Sequence, residues 1–178
     1  KTKTESEVIM KKSVGFLALI EHEGMLLAVL QVRGRHNVEK ELREKSWPGG
    51  CQVTVHGKAE PDETLEQALF REAIEEVGVA AAGHICSAVE REHIELVYEH
   101  HGMEKVVLTY AAVLSYEFLQ AIRWHASSGG LRLVTKRHIS SIRDLATYDK
   151  RIGILDCFST AMFPDEIEAV KKAFQIFS

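Results

Sequence analysis

The sequence has few of the features that mark secreted, membrane or zinc-binding proteins. Its 178 residues include three isolated cysteines, Cys51, Cys86 and Cys157, an odd number with no CxxC pair. This pattern argues against a disulfide framework and a zinc site, so a cytoplasmic location is expected. No apolar run approaches the roughly 20 residues of a membrane span, and no charged-then-apolar secretion leader is visible.

An excess of positive charge is also lacking. The formal net charge is −4 and the pI is near 6.2, which argues against broad nucleic-acid binding but leaves room for a local basic pocket. With 46% hydrophobic and 27% charged residues, the chain can bury a globular core. We expect a flexible N-terminal arm at residues 1–12 and a single domain at residues 13–178.

The most informative stretch is residues 57–79, GKAEPDETLEQALFREAIEEVGV. Thr64 followed by Gln67 is a capping-box pattern, and Gly78 is typical of a helix end that needs a positive φ. These signals predict a helix over residues 64–77.

On this helix, Glu72, Glu75 and Glu76 fall within an arc of about 100°, and the apolar residues face the other way. Such crowded carboxylates repel one another, so a cation is expected among them. Arg71 can pair with Glu63 and part of the cluster, and a hard divalent cation can neutralise the rest. A solvated helix face is the simpler interpretation of a Glu-rich helix.

The spacing of glycine, arginine and glutamates favours a functional site instead. The stretch resembles the Nudix box, G-x5-E-x7-R-E-U-x-E-E-x-G-U, in which U is a bulky aliphatic residue. Every fixed position matches, although Ala73 is smaller than usual, and Trp47-Pro48-Gly49-Gly50 resembles the approach common before the box. The resemblance implies a Nudix-type α-β-α sandwich around a mixed β-sheet, in the α/β (α+β) class.

The resemblance also implies a function. It is Mg²⁺-dependent hydrolysis, with Mn²⁺ as a substitute, of the diphosphate linkage in a nucleoside diphosphate joined to another moiety. The implied metal ligands are Gly57, through its carbonyl, Glu72, Glu75 and Glu76. Arg71 and Glu63 complete the implied catalytic set as a supporting pair. Arg33 and Arg35 are candidate substrate-binding residues, and a homodimer is common among relatives.

The general base stays unassigned. Many Nudix hydrolases carry an additional acidic residue before a late short helix, whereas residues 131–141 here read LRLVTKRHISS, without a carboxylate. The base then comes from the box itself or from a substitute elsewhere. The alternatives are Glu95, Glu99, Glu104, Glu117 and, more weakly, His138.

Two other functions compete with this one. Isopentenyl-diphosphate isomerase has a related fold, and Cys51 and Glu104 loosely resemble its active-site pair, but its box is usually degenerate. A non-catalytic nucleotide-binding Nudix module is the second alternative, and such modules tend to lose box carboxylates that this chain keeps.

Other elements follow from hydrophobic patterning and turn residues. Strands are predicted at residues 14–20 and 25–32, joined as a hairpin at Gly24, and at residues 47–56, 85–97, 105–116 and 131–135. Short helices are predicted within residues 117–125 and 140–146, and a final amphipathic helix at residues 164–177.

Overall fold

The centre of the protein is a seven-stranded sheet, seen in a computed structural model that describes residues 10–38, 41, 43–156 and 158–178. The strands are β1 (Lys11–His22), β2 (Met25–Arg33), β3 (His36–Asn37), β4 (Arg43–Glu44), β5 (Cys51–Gln52), β6 (Val55–Lys58), β7 (Glu95–His101), β8 (Lys105–Leu114), β9 (Ser128–Thr135), β10 (Arg143–Asp144) and β11 (Ala161–Met162). The helices are α1 (Leu65–Val77), α2 (Val79–Glu90), α3 (Glu117–Ala121) and α4 (Pro164–Phe177), with 3₁₀ turns at Lys136–Ser141 and Leu145–Thr147.

Strand pairing makes this sheet a mixed one. β5, β2, β1, β8 and β7 follow one another, β6 also pairs with β1, and β9 also pairs with β2. β1 and β8 are parallel, whereas the other pairs in this sheet are antiparallel. The expected mixed α/β fold is therefore confirmed.

The sheet is covered on both faces because its central strand is apolar on both faces. Along β1, Phe16, Ala18 and Ile20 pack with α1, α2 and α3 in one core, while Leu17 and Leu19 pack with α4 in the other. This alternation follows from the two-residue period of a strand. A continuous apolar run is what a strand buried on both sides requires.

The chain between β5 and β6 is inserted into the fork where β1 and β2 separate. β1 pairs with β2 over residues 18–22 and with β6 over residues 13–16. The fully buried Thr54 lies at this fork, where its hydroxyl accepts from Ala18 N at 2.8 Å and donates to Val29 O. One side chain thus satisfies backbone groups of both strands. β6 begins at the next residue and leads to the start of α1.

Helix α1 begins and ends as the sequence predicts. Thr64 is its N-cap, with the reciprocal hydrogen bonds to Gln67 of a capping box. Gly78 has φ 85°, and Gly78 N donates to Ile74 O at the helix end. The hairpin of β1 and β2 is also as predicted, with positive φ at Glu23 and Gly24.

The predicted strand over residues 85–97 is wrong. Helix α2 runs to Glu90, and β7 begins only at Glu95. The Ala-rich stretch after Gly78 places Ala81, Ala82, Ile85 and Ala88 on one buried face. That spacing is helical, and alanine is the strongest helix former.

Several boundaries also differ from the prediction. The hydrogen-bonded strand β1 starts at Lys11, within the range expected to be an arm, and residues 1–9 lie outside the described residues, as does Cys157. The predicted strand over residues 47–56 is divided into β5 and β6 at the Thr54 fork. The helix predicted over residues 140–146 is instead two 3₁₀ turns separated by β10. Within the described part of the chain, no helix has the length and hydropathy needed to cross a membrane.

The fork at Thr54 yields a prediction about stability. Thr54→Val keeps the side-chain shape but leaves Ala18 N and Val29 O without their partner, so the free energy of unfolding should fall by about 2 to 4 kcal/mol. Urea unfolding measures this change. Thr54→Ser, which keeps the hydroxyl, is the matched control and should lose clearly less; a Thr54→Val protein as stable as the wild type would show that the fork does not depend on this hydroxyl.

Candidate functional site

The three box glutamates line one polar cavity of about 150 Å³. We call it the carboxylate cavity; its lining residues are Glu72, Glu75 and Glu76 of α1 together with Gln31, Asn37, Lys45, His125, Ser127 and Ser128. The glutamates meet there because they share the face of α1 that is turned away from its buried residues Ala68, Leu69, Ala73 and Val77. An amphipathic helix thus places its polar face at the cavity.

Arg71 ties together the outer carboxylates. Its Nε and Nη2 donate to the two oxygens of Glu63, each at 2.9 Å, and its Nη1 donates to Glu72 Oε1 at 2.8 Å. Nη1 also lies 3.5 Å from Glu75 Oε2, and Nη2 donates to Lys58 O at 2.8 Å. Hydrogen bonds from Arg71 lower the pKa of Glu63, and the same bonds raise the pKa of Arg71. The guanidinium therefore holds α1 to the loop before it.

Glu76 is in a different environment from the outer carboxylates. Its Oε2 accepts from His56 N at 3.0 Å, and burial raises the pKa of its carboxyl to about 8. Burial also raises the pKa of Glu72, against the opposing effect of Arg71. Glu75 is exposed. Burial therefore has the largest effect on the Glu76 carboxyl, with the charge of Lys45 acting in the opposite direction.

Gly57 is where β6 comes closest to α1. An added Cβ at Gly57 would overlap the Glu72 side chain. β6 cannot shift to make room without breaking its ladder with β1, in which Gly57 lies opposite Val14. Glycine at this position therefore lets the Glu72 carboxylate lie directly against the strand backbone.

The donor set at the cavity fits a hard divalent cation in its chemistry. Three carboxylates and a closely approached backbone supply oxygen, the ligand that Mg²⁺ and Mn²⁺ prefer. Among the described residues, no three His, Cys, Asp or Glu side chains are already arranged around one metal position. Glu72 is bonded to Arg71 and Glu76 to His56 N instead, so metal binding requires these carboxylates to turn inward.

The family model of the NUDIX domain matches residues 11–129. The chain belongs to the NUDIX family.

Solved structures agree with this assignment at the level of the fold. A MutT/nudix family protein from Enterococcus faecalis has a TM-score of 0.61 and 17% identity, covering 98% of this chain, which spans only 64% of that protein. The NUDIX domain of Shewanella oneidensis NrtR, complexed with ADP ribose, has a TM-score of 0.58 and 16% identity, covering 97% of this chain and 91% of that one. An Ap4A hydrolase from C. elegans has a TM-score of 0.51 and 13% identity, covering 96% and 100%. No curated protein matches the sequence significantly.

The wall opposite the glutamates was not found by sequence reasoning. Lys45 Nζ donates to Ser127 O at 3.1 Å, and Val38 N donates to Ser127 Oγ at 3.1 Å. The sequence patterns predict no strand, helix or site residue at Val38, Lys45 or Ser127. The only local signal was a lysine two residues before Trp47. Burial, with the charge of Arg33 nearby, lowers the pKa of Lys45.

The two arginines proposed to bind substrate do not line the carboxylate cavity. Arg33 donates from Nε to Ser46 O at 2.9 Å and from Nη1 to Gln52 Oε1 at 3.1 Å. Gln52 in turn donates to Gln31, which does line the cavity, so the hydrogen bonds of Arg33 connect it to the site through two glutamines. Its charge also acts on Lys45 and Glu76. Arg35 is exposed.

The candidates for the general base from outside the Nudix box do not line the carboxylate cavity either. Glu95, Glu99, Glu104 and Glu117 are absent from the lining of the carboxylate cavity, and His138 lines two other cavities. Cys51 is fully buried in the core beside α4, where burial raises its pKa to about 11. A thiol held neutral and away from the glutamates does not support the isomerase alternative.

The raised pKa of Glu76 predicts a pH-dependent stability. A carboxyl with a folded-state pKa of about 8 against an ordinary 4.5 binds its proton more tightly when folded, so this contribution to stability is full below pH 4.5 and is lost as pH rises to about 8. In EDTA, the Tm of the wild type should fall more steeply over this range than that of Glu76→Gln. Scanning calorimetry at several pH values measures both slopes.

The control for that experiment is Glu66→Gln, because Glu66 is exposed on the same helix and does not line the cavity. Its Tm should follow the wild-type slope. Parallel slopes for the wild type and Glu76→Gln would mean that burial does not raise the pKa of Glu76.

Proposed function

We propose that this NUDIX protein is a Mg²⁺-dependent hydrolase, active also with Mn²⁺, that cleaves the diphosphate linkage of a nucleoside diphosphate joined to another moiety. The observation that supports it most is the meeting of all three box glutamates at one polar cavity opposite Lys45. In the proposed site, Glu72, Glu75, Glu76 and the Gly57 carbonyl hold the metal. When bound, the ion neutralises the diphosphate, polarises phosphorus and lowers the pKa of water.

The chain's own residues bring an anionic substrate next to anionic side chains. Lys45 is the cation on the cavity wall, and its ammonium has three N–H donors, of which one is used by Ser127 O. We assign it the binding of a phosphate oxygen. Arg71 keeps Glu72 and Glu75 aimed along α1 through contacts of 2.8 and 3.5 Å. This positioning role follows from its hydrogen bonds alone and needs no contact with substrate.

The cavity narrows the choice of general base. Apart from the glutamates, the titratable side chains on its wall are Lys45 and His125. Since the acidic substitutes considered from the sequence lie elsewhere, we assign proton abstraction from the attacking water to a box carboxylate. In this arrangement, the general base does not have to be an acidic residue outside the Nudix box.

Replacing Glu76 tests the proposed role of the box carboxylates in catalysis. Glu76→Gln should lower Mg²⁺-dependent turnover by at least about 100-fold, because even the loss of an outer-sphere partner costs 10- to 100-fold. The assay is a panel of nucleoside diphosphate derivatives with Mg²⁺ and with EDTA, beginning with ADP-ribose and Ap4A, the compounds in the names of two structural neighbours. Circular dichroism checks that the variant is folded.

The matched control is Glu66→Gln, an exposed glutamate in the first turn of α1 that does not line the cavity. It should retain wild-type turnover. Full activity of a folded Glu76→Gln protein would refute the catalytic role of the box, and a wild type that binds members of the panel without hydrolysing them would favour the non-catalytic module.

A second test uses two glycines. Gly57→Ala places a methyl group where the Glu72 side chain lies, and since that side chain is flexible, the fold should survive while the affinity for Mn²⁺ falls at least about 10-fold. Gly83→Ala is the matched control, because an added Cβ there meets nothing within 4 Å. It should bind Mn²⁺ normally and be slightly more stable, as expected for alanine in a helix. Titration followed by electron paramagnetic resonance measures free Mn²⁺; equal affinities in the two variants would remove Gly57 from the site.

A further inference from the structure

Gln31 is a buried polar residue of the carboxylate cavity to which the proposed hydrolysis assigns no role. It lies near the end of β2, is only 5% exposed and lines the cavity together with the box glutamates. Val29, two residues earlier on the strand, packs in the core with α1, so the alternation of a strand turns Gln31 to the same side. A polar side chain this deeply buried needs hydrogen-bond partners, and those of Gln31 show what it can offer a ligand.

The carbonyl oxygen of the Gln31 side chain is already used. Gln31 and Gln52 are cross-strand partners on β2 and β5, and Gln52 Nε2 donates to Gln31 Oε1. Gln52 Oε1 in turn accepts from Arg33 Nη1 at 3.1 Å. Two hydrogen bonds therefore lead from the guanidinium to the Gln31 carbonyl. We call the three residues Arg33, Gln52 and Gln31 the amide relay.

The direction of the amide relay is fixed by the chemistry of its first member. A guanidinium carries five N–H donors and no acceptor, so only the carbonyl oxygen of Gln52 can face Arg33. The amide nitrogen of Gln52 must then face Gln31, where only the carbonyl oxygen of Gln31 can accept from it. Both amides are thereby kept from turning over.

Arg33 is itself held by the loop that leads to β5. Its Nε donates to Ser46 O at 2.9 Å, its backbone N donates to Gly50 O at 2.7 Å, and its backbone O accepts from Gly49 N at 2.8 Å. These three bonds fix both the backbone and the side chain of the arginine. The amide relay therefore starts from a donor whose position is set by the fold.

The amide nitrogen of Gln31 is the group that the relay leaves over. It makes no hydrogen bond to any residue that the structure describes, since the bond from Gln52 is made to Oε1. In the described part of the chain, no fully buried side-chain nitrogen or oxygen lacks a partner, so this nitrogen must be open to the cavity that Gln31 lines. The relay thus presents two N–H donors, and no acceptor, to the occupant of the cavity.

A group that can only donate suits a ligand atom that can only accept. The ionised oxygens of a diphosphate are such atoms, whereas a sugar hydroxyl both donates and accepts and would pair with an amide in either orientation. A fixed amide is therefore an advantage for binding a diphosphate and none for binding a hydroxyl. Lys45, which lines the same cavity, is a donor-only group as well.

We propose that Gln31 binds a diphosphate oxygen of the substrate through its amide nitrogen, and that Arg33 and Gln52 are positioning residues that keep this nitrogen turned into the cavity. The inference rests on the proposed hydrolase function, because it concerns the substrate of the same site. It gives Arg33, which does not line the cavity, a role that needs no contact with the substrate.

Binding of methylenediphosphonate, a diphosphate analogue whose P–C–P bridge resists hydrolysis, tests Gln31 separately from turnover. In calorimetric titrations with Mg²⁺, Gln31→Met should bind it at least about 10-fold more weakly than the wild type, as expected for the loss of a hydrogen bond to a charged group. With a hydrolysed compound of the panel, KM should rise by a similar factor while kcat stays nearly unchanged. Gln175→Met, which replaces an exposed glutamine of α4, is the matched control and should bind as the wild type does.

Gln52→Glu tests the relay while Gln31 stays in place. The new carboxylate can still accept from Arg33 but cannot donate, so the Gln31 amide should turn over and present its oxygen to the cavity. Binding of methylenediphosphonate should again weaken at least about 10-fold. The added negative charge also weakens binding, and making the same change in the Gln31→Met protein isolates that contribution, which should be much smaller. Arg33 is left intact because its charge also acts on Lys45 and Glu76.

The outcomes separate this inference from the hydrolase function. Equal affinities of the wild type and Gln31→Met, no binding by the wild type, or an equal loss on Gln52→Glu with and without Gln31 would overturn the inference. If the wild type still hydrolyses a panel compound in that case, the hydrolase function is kept. A wild type that binds methylenediphosphonate through Gln31 but hydrolyses no compound of the panel would refute the hydrolase function and support the inference.

Discussion

The contact between Gly57 and Glu72 is the constraint on which the carboxylate cavity depends. The Glu72 side chain occupies the space that a Cβ at position 57 would take, so α1 lies directly on the backbone of β6. β6 is held by its ladder with β1, and α1 is held by a core that contains Ala68, Leu69 and Ala73. Neither element can retreat. The acidic face of α1 is therefore kept against the backbone of β6.

The crowded carboxylates are in two different electrostatic environments. Glu63, Glu72 and Glu75 share the permanent positive charge of Arg71. Glu76 has a single backbone donor, and a pKa of about 8 implies a cost on the order of 5 kcal/mol for ionising it in the folded protein. A dication bound at the cavity would offset that cost at Glu76 far more than at the outer glutamates.

Local patterns predicted the elements whose ends carry their own signals. The capping box at Thr64 defines the start of α1 by hydrogen bonds, and the proline at the start of α4 does so by its fixed φ. Both signals depend only on residues that are close in sequence. The predicted strand over residues 85–97 was wrong because a short apolar run is compatible with either a strand or a helix. Here packing against α1 selects the helix. The contact between Lys45 and Ser127 was not predicted for a different reason. They are 82 residues apart, and their meeting is a property of the sheet that no short pattern contains.

The alternation of side chains along β2 and β9 places the lining of the carboxylate cavity on one face of the sheet and the core beside α4 on the other. Gln31 turns toward the carboxylate cavity, while the adjacent Leu30 is buried beside α4, in register with Arg132. A one-residue slip between β2 and β9 would exchange these partners and put an arginine next to the box glutamates. The buried Val134 of β9 opposes that slip, because it would move from the core beside α4 to the other face of the sheet. Hydrophobic packing at one position therefore maintains the separation of charge between the two faces.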